Sequence, residues 1–374
     1  MRRLTLSDFR NYADLRLTTH SSSIVLFGAN GAGKTNLLEA ISLLAPGRGL
    51  RRAPFEQLIR HGSSNGWAVA ADVSLAGVSA ALGTAYRPES IAKTRPTRQV
   101  MIDGRLQKST APLGRHMRIL WLTPAMDRIF SGPPGDRRRL CDRLAAGLDP
   151  DHTSRLTNFE NLMRQRNRLL AETAADPSWI LSLEHQMAEE AIALTAGRLQ
   201  TLDSLAAQMA SGAVEAFPWV KLRLLGDLSE GLQNSPAVQV EDQYRRILRD
   251  SRRADRSAGR TLVGPHRADL EVTHGPKEID AGLCSTGEQK AMLISVVLGH
   301  AKAMKNTLGG ILPLLLLDEA VAHLDAERRS GLFRELQALR AQCWLTGTDR
   351  GLFQGMDRQT EFYAVKQGTL VPIG

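Results

Sequence analysis

Residues 22–44, SSIVLFGANGAGKTNLLEAISLL, place three glycines and a lysine between two apolar runs. The first run predicts a short buried strand, and the spacing of the second predicts a helix that begins near Lys34. The residues between them match GxxxxGK[ST], a phosphate-binding loop in which glycines let backbone amides converge on a phosphate. A chance glycine-rich turn, the alternative, does not explain a strand, loop, lysine and helix in this order. The predicted triphosphate site consists of Gly28, Ala29, Asn30, Gly31, Ala32, Gly33, Lys34, Thr35 and Asn36.

The other half of such a site is predicted in ILPLLLLDEAVAHLD, at 311–325. A continuous apolar run that ends in acids is typical of a central parallel strand whose carboxyl end faces a ligand. Lys34 then reaches the β- and γ-phosphates of ATP, while Thr35 and Asp318 are the predicted Mg²⁺ ligands. Glu319 is the predicted general base, so Lys34, Asp318 and Glu319 form the predicted catalytic set. The alternative is a pair of acids that only caps the end of a strand.

The 374-residue chain carries 48 Lys and Arg against 39 Asp and Glu, a net charge of +9. Such an excess favours nucleic acid or an acidic membrane surface as a partner, although a solvated basic surface is the simpler alternative. Arginines cluster at 48–52, 137–139 and 245–256. Arg48, Arg51 and Arg52 are the predicted DNA contacts, because they follow the phosphate-loop helix on a segment expected at the surface. Aromatic residues are only 5% of the chain, which disfavours base stacking and favours contact with the backbone of duplex DNA.

Cysteine usage and hydropathy favour a soluble, cytoplasmic protein. Cys141, Cys284 and Cys343 are isolated and lack CxxC spacing, which argues against a disulfide framework or a zinc site. We expect no signal peptide, and the longest apolar run, at 311–317, is too short to cross a bilayer. His266 has no second histidine or cysteine at metal-ligand spacing, so a structural role in its loop is favoured over a catalytic one.

A third motif, CSTGEQKAMLISVVLGHAKAM at 284–304, predicts a helix that begins after Ser285. Ser285 and Glu288 have the spacing of a capping box, which is the structural interpretation. A serine and a glycine at a helix N-terminus also suit a second contact with phosphate.

The order of the phosphate loop, STGEQ, LLLLDEA and HLD resembles that of the ATP-binding-cassette (ABC) ATPases, in which two subunits enclose ATP. The resemblance implies that Ser285, Gly287 and Glu288 of one subunit act on the nucleotide of the other, across an ATP-dependent homodimer. It also implies nucleotide or interface roles for Arg10, Asn11, Asp325 and Asp349. Asp349 lies in WLTGTDR, at the place where transporters carry a histidine.

Four stretches resemble the RecF family of bacterial recombination mediators: LTLSDFRNYADLRL near the start, GPPGDRRRLCDRL at 132–144, GPHRADL at 264–270 and STGEQKAMLI at 285–294. This resemblance implies a weak ATPase that uses hydrolysis as a switch and dimerises on ATP at duplex or gapped DNA. It further implies partners of the RecO and RecR type. The implied role is to help load the recombinase RecA in DNA repair, replication restart and the SOS response.

The long separation between Lys34 and Ser285 indicates an insertion, whose helical stretches lack heptads sustained over several repeats. The predicted fold is α/β, an ABC-type ATPase head built from both chain ends with an inserted, mainly helical arm. The predicted domains are residues 1–125 and 256–374 for the head and 126–255 for the arm. Two alternatives remain open, an ATPase subunit of a membrane transporter and a structural DNA-binding scaffold with an inactive ATP site. The insertion, the absent histidine and the basic charge count against the first, and the complete site residues count against the second.

Overall fold

The computed structural model describes residues 1–75, 77–88, 97–172, 176–210 and 216–373. The chain divides into two units. The first unit combines Met1–Asp127, Gly212–Pro218 and Ser285–Gly374, and the second combines Arg128–Ser211 and Trp219–Cys284. Both chain ends therefore belong to one unit, which the second unit interrupts in the sequence.

Strands and helices are numbered in chain order. The strands are β1 (Arg3–Phe9), β2 (Tyr12–Thr18), β3 (Ser23–Phe27), β4 (Trp67–Leu75), β5 (Val78–Tyr86), β6 (Arg98–Ile102), β7 (Arg105–Gln107), β8 (Ile119–Leu122), β9 (Val220–Leu225), β10 (Asp269–His274), β11 (Ile279–Asp280), β12 (Leu314–Leu317), β13 (Cys343–Gly347), β14 (Glu361–Lys366) and β15 (Thr369–Ile373). The α-helices are α1 (Lys34–Ser42), α2 (Leu113–His116), α3 (Pro134–Leu148), α4 (His152–Ala171), α5 (Pro177–Ala210), α6 (Asp227–Asn234), α7 (Ala237–Asp250), α8 (Arg252–Ala258), α9 (Thr286–Thr307) and α10 (Ala326–Leu339).

A six-stranded sheet in the first unit carries the phosphate loop. Its order is β15-β14-β3-β13-β12-β8, and neighbouring strands are parallel except in the β14–β15 pair. Every residue of β12 and of β13 is buried, as expected for central strands covered on both faces. The segments that follow β3, β12 and β13 therefore meet at the carboxyl edge of the sheet, where ligands bind in parallel sheets.

The second sheet of the first unit is antiparallel, with the order β2-β1-β4-β5-β6-β7. Leu4 and Leu6 of β1 are buried while the residues beside them are more exposed, because one face of this sheet covers the core. They share that core with Leu37 of α1, Leu316 of β12 and Trp344 of β13. Packing against both sheets thus fixes α1, and with it the start of the helix behind the phosphate loop.

The second unit contains helices α3 to α8 and the antiparallel sheet β11-β10-β9. Helices α4, α5 and α7 share an apolar core that includes Phe159, Met187 and Tyr244. Within the described ranges of the chain, no helix combines the length and the apolar character needed to span a bilayer.

The division into units differs from the predicted domains in one segment. The prediction assigns residues 256–284 to the head, whereas the structure includes them in the second unit. The physical reason is strand pairing, because β10 pairs with β9 along its whole length. In addition, Arg137 of α3 binds Asp269 of β10 through two hydrogen bonds. The first boundary follows Asp127 and so lies close to the predicted one at residue 125.

Candidate nucleotide site

The loop between β3 and α1 is supported on one side and open on the other. Gly28 and Gly33 have φ of 146° and 116°, in the region that favours glycine. A Cβ at Gly28 would lie 2.5 Å from the carbonyl oxygen of Val365, and one at Gly33 would lie 2.4 Å from Asn11 Nδ2. A Cβ at Gly31, in contrast, would meet nothing within 4 Å. The loop thus forms a cradle whose open side has room for a phosphate group.

Lys34, the first residue of α1, folds back over this loop. Its Nζ donates hydrogen bonds to the carbonyl oxygens of Gly28 (2.7 Å) and Ala29 (2.9 Å). Burial lowers the pKa of the Lys34 amine, while the charges of Glu319 and Asp318 act in the opposite direction. Because neutral carbonyl groups hold the amine, its charge remains available to a phosphate ligand.

The loop is supported by a side chain from the turn before β2, one from β2 and one from α1. Asn11 Nδ2 donates to the Ala32 carbonyl (3.0 Å), and Asn36 Nδ2 donates to Asn11 Oδ1 (2.9 Å). The Tyr12 hydroxyl donates to the Gly33 carbonyl (3.0 Å). Asn11 therefore contacts the outer side of the loop, and a direct contact with a nucleotide stays a prediction for Asn11 and Asn36.

Arg10 forms an ion pair with α1, the helix that follows the phosphate loop. Its Nε and one terminal nitrogen donate to the two carboxylate oxygens of Glu39, at 2.9 and 3.1 Å. Glu39 is 2% exposed, and its carboxylate also lies 3.6 Å from Arg51. The contact of Arg10 with the nucleotide stays a prediction.

Asp318 lies at the carboxyl end of β12 and joins the acidic segment to the phosphate loop. Its Oδ1 accepts hydrogen bonds from the hydroxyls of Thr35 (2.9 Å) and Thr346 (2.8 Å). The side chain is 3% exposed, and this burial raises the pKa of Asp318, although both hydroxyls oppose the shift. A hydroxyl and a carboxylate side by side are suitable oxygen ligands for Mg²⁺, so the donors fit the predicted metal site.

Glu319 has a left-handed backbone, with φ of 50°, and its side chain is half-buried. Its amide donates to Thr346 Oγ1 (2.9 Å), the same hydroxyl that donates to Asp318. Thr346 thus aligns both acids, a role that the sequence analysis missed. A signal was present, because Thr346 lies in the buried end of β13, next to β12 at the carboxyl edge of the sheet.

The capping box predicted at the start of α9 is confirmed. Ser285 Oγ accepts from the amide of Glu288 (3.4 Å), and Glu288 Oε2 accepts from the amide of Ser285 (2.9 Å). Ser285 is nevertheless exposed, and a Cβ at Gly287 would meet nothing within 4 Å. This helix start is therefore both capped and accessible to a ligand.

Asp325 and Asp349 are both exposed N-caps. Asp325 Oδ1 accepts from the amide of Arg328 (2.8 Å) at the start of α10, and Asp349 Oδ1 accepts from the amide of Gly351 (2.6 Å). Their local role is thus to begin a helical turn. A role at a nucleotide-containing interface stays a prediction for both.

The predicted DNA contacts Arg48, Arg51 and Arg52 are exposed. The Arg48 guanidinium lies 5.7 Å from the centre of the Phe55 ring, and Arg51 donates to Asn36 Oδ1 (3.0 Å). Their contact with DNA stays a prediction. Arg51 is also bound to the residue that follows Thr35, so this arginine segment adjoins the phosphate-loop helix.

The other two arginine clusters take part in ion pairs of the second unit. Arg137 binds Asp269 and Arg252 binds Glu184, each through two hydrogen bonds. These contacts agree with a structural role for the clusters.

His266 and the cysteines also fit structural roles. His266 Nε2 lies 3.0 Å from the Thr261 carbonyl oxygen, its ring packs against Phe159, and burial lowers the pKa of His266. The three cysteines are buried thiols.

A parallel sheet that brings a phosphate loop and an acidic strand end together at one edge is characteristic of P-loop nucleotide-binding proteins. The family model described as the RecF/RecN/SMC N terminal domain matches residues 1–371. The DNA replication and repair protein RecF of Mesorhizobium japonicum is 45% identical over 371 residues, which cover 99% of this chain and 97% of that protein. Its counterpart from Agrobacterium fabrum is 46% identical over 368 residues, 98% of this chain and 96% of the relative.

The fold is also similar to that of a solved structure of the recombination mediator protein RecF-ATPrS in the RecFOR pathway. The TM-score is 0.84 at 22% identity, and the match covers 100% of this chain and 98% of that one. The chain belongs to the RecF family, within the larger RecF/RecN/SMC group. The predicted fold class, an ABC-type ATPase head with an inserted arm, and the predicted family are both confirmed.

Proposed function

We propose that this protein binds ATP with Mg²⁺ at the candidate site and hydrolyses ATP slowly, as a switch in DNA repair. The observation that carries the proposal is the hydrogen-bonded cluster of the half-buried Thr35 with the buried Asp318 and Thr346. It connects the phosphate-loop helix to the ends of β12 and β13, so that the elements of both half-sites are in register.

The residues predicted to bind and hydrolyse ATP have separate tasks in this proposal. Lys34 and the loop amides bind the β- and γ-phosphates, and Thr35 and Asp318 would hold Mg²⁺, which neutralises phosphate charge when bound. Glu319 takes a proton from the attacking water. The water oxygen bonds to the γ-phosphorus as the bond to the ADP oxygen breaks, and ADP and phosphate are released.

The capped start of α9 supports an ATP-dependent homodimer. Ser285 is exposed and Gly287 has free space beside it, so both are accessible to the triphosphate of a second molecule. Glu288 holds the helix start in shape, and Asp325 and Asp349 are the further interface residues of the proposal. ATP contacts that exist only in the closed dimer would make nucleotide binding and dimerisation one event.

The proposed partner is DNA, either duplex or gapped, bound through its backbone. Arg48, Arg51 and Arg52 are the proposed contacts, and the net charge of +9 supports a polyanionic partner. The relatives are DNA replication and repair proteins, and the similar solved structure is of a RecF from the RecFOR pathway. We therefore infer the same setting here: RecO- and RecR-type partners, loading of a recombinase in the cytoplasm, and roles in replication restart and the SOS response.

Molar mass in solution tests the dimer. We expect a monomer without nucleotide and a dimer with ATP–Mg²⁺, measured by light scattering. Lys34→Met should remain monomeric with ATP–Mg²⁺, while Lys305→Met, which removes an exposed lysine near the end of α9, should dimerise like the wild type. Equal dimerisation of Lys34→Met and the wild type would contradict the switch.

Binding to DNA is tested separately from dimerisation. The triple substitution of Arg48, Arg51 and Arg52 by methionine should leave the ATP-dependent dimer intact. It should also weaken binding to duplex and gapped DNA and reduce the dependence of binding on salt, because fewer counter-ions are released. An unchanged affinity and salt dependence would exclude these arginines as the contacts.

A further inference from the structure

Lys290 of α9 is a buried lysine that none of the roles above includes. It follows the capping residue Glu288 by two positions and is 4% exposed. Its Nζ donates to the carbonyl oxygens of Glu319 (2.9 Å) and Ala322 (2.8 Å), and it lies 3.7 Å from Asp127 Oδ2. Two hydrogen bonds to carbonyl oxygens and a nearby carboxylate charge therefore direct the amine at this one place.

The two carbonyl groups belong to a turn with an unfavourable backbone. Glu319 and His323 have φ of 50° and 64°, left-handed values that are costly for residues other than glycine. Such conformations persist only where the surrounding structure holds them. Lys290 binds the carbonyl of Glu319 itself and that of Ala322, immediately before His323. It is therefore placed to hold both left-handed residues of the turn.

Glu319 is consequently fixed on both sides of its backbone. Its amide donates to Thr346 Oγ1, and its carbonyl accepts from Lys290. Thr346 is anchored to Asp318, and Lys290 belongs to the first turns of α9, the helix that Ser285 caps. The backbone from which the Glu319 carboxylate projects therefore depends on α9.

We propose that Lys290 is a positioning residue that orients Glu319 and couples it to the start of α9 in the same subunit. The inference rests on the proposed hydrolysis by Glu319. Because Ser285 and Lys290 lie in the first turns of α9, a triphosphate from a second molecule that displaces Ser285 also displaces Lys290. Hydrolysis in one site then depends on engagement of the other.

Single-turnover hydrolysis, expressed per bound nucleotide, tests this role. We expect Lys290→Met to lower the rate about 10- to 100-fold, the loss typical of a catalytic group misplaced by about 1 Å. ATP affinity should change by less than about twofold, because the lost interaction serves chemistry and not ground-state binding. Lys305→Met on the same helix should hydrolyse ATP at the wild-type rate. An unchanged rate in Lys290→Met would overturn the proposal.

Measuring Lys290→Met in a Glu319→Gln background separates an effect through Glu319 from a non-specific loss of activity. If Lys290 acts through Glu319, Lys290→Met should cause no further loss in that background, because two changes in one unit are not additive. If Lys290→Met lowers the rate in the Glu319→Gln background by the same factor as in the wild type, the proposal is overturned. Wild-type hydrolysis by Glu319→Gln alone would instead overturn the proposed function of Glu319, so the two failures are distinguishable.

Lys290→Gln covers the case in which the methionine variant does not fold. The glutamine amide keeps a donor but is too short to bind both carbonyls, so we expect a reduced rate per bound nucleotide. A glutamine variant that binds ATP and hydrolyses it at the wild-type rate would also overturn the proposal.

Discussion

The second unit and the nucleotide site of the first unit both contain buried charged side chains, but those charges are compensated differently. In the second unit, Asp142 accepts two hydrogen bonds from Arg198, at 2.7 and 3.0 Å. In the first unit, the similarly buried Asp318 accepts from two threonine hydroxyls. The cations differ in the same way: Arg166 of the second unit binds carboxylates, whereas Lys34 binds loop carbonyls.

As a result, the pKa values of the two aspartates are shifted in opposite directions. Burial raises the pKa of Asp318, and hydrogen bonds from the hydroxyls offset only part of this effect. Burial acts in the same direction on Asp142, but the Arg198 charge and the hydrogen bonds from His152 and Arg198 outweigh it and lower the pKa of Asp142. A buried charge with an ion partner is already compensated within the protein. A buried carboxylate whose partners are neutral hydroxyls is expected where the counter-charge arrives only with a bound ligand.

The largest effect is expected from breaking the Asp142–Arg198 pair. Arg198→Met leaves the Asp142 carboxylate buried without its main counter-charge, so the unfolding free energy should fall by about 3–5 kcal/mol. Urea denaturation measures this loss. Arg223→Met, which removes an exposed partner of Glu271, should leave the unfolding free energy nearly unchanged, because solvent screens this pair. If Arg198→Met lowered the unfolding free energy as little as Arg223→Met does, the contrast between the buried and the exposed ion pair would be wrong.

A smaller effect of opposite sign is expected at Asp318. Asp318→Asn removes an under-compensated charge, so the nucleotide-free protein should be as stable as the wild type or slightly more stable. Saturating ATP–Mg²⁺, at about 100 times its dissociation constant, should stabilise the wild type by about 2.7 kcal/mol and the variant much less. Thermal melting with and without ATP–Mg²⁺ measures both quantities. An equal stabilisation of the two proteins would exclude Asp318 as a metal ligand.

The same variant should reveal the pKa of Asp318. This pKa is raised above its ordinary value of 3.8, so the ionised side chain destabilises the native state at neutral pH. As pH falls through the raised pKa, the wild type takes up a proton and regains that stability. The advantage of Asp318→Asn should therefore disappear in acid, and an advantage that grows as pH falls would contradict the assignment. The dependence of stability on pH has the opposite sign for Asp142. Its contribution to the free energy of unfolding is lost as pH falls through its lowered pKa.

A loss of stability smaller than that of Arg198→Met is expected at Ser285. Ser285→Ala removes one half of the capping box, which should cost about 1 kcal/mol of unfolding free energy. The same change should weaken the ATP-dependent dimer if Ser285 contacts the nucleotide of a second molecule. Ser285→Thr keeps a capping hydroxyl and should retain most of the stability, so calorimetry and light scattering on the two variants separate capping from dimerisation. A dimer unaffected by Ser285→Ala would leave capping as the role of this serine.

The sequence was sufficient where a feature depends on neighbouring residues. The phosphate loop, the buried strand before Asp318 and the capping box are each encoded within a short stretch, and the structure contains all three. Local spacing determines such elements because glycine conformations, strand periodicity and helix caps all act over a few residues.

The sequence was insufficient where a feature depends on distant segments. Thr346 and Lys290 acquire their partners only when β13 and α9 pack beside the end of β12. The pairing of Arg10 with Glu39 of α1 likewise joins distant segments, and the contact of Arg10 with the nucleotide stays a prediction. Residues 256–284 were assigned to the head because no local pattern reveals the pairing of β10 with β9.

The position of β3 has a consequence for synthesis on the ribosome. Both neighbours of this strand, β13 and β14, come from the carboxyl-terminal part of the chain. Until Lys366 has been translated, the strand that leads into the phosphate loop has at least one bare edge, which is a template for wrong pairing. The ribosome completes the second unit, which ends at Cys284, much earlier. An mRNA truncated near its 3′ end should therefore yield a folded second unit attached to an aggregation-prone first unit.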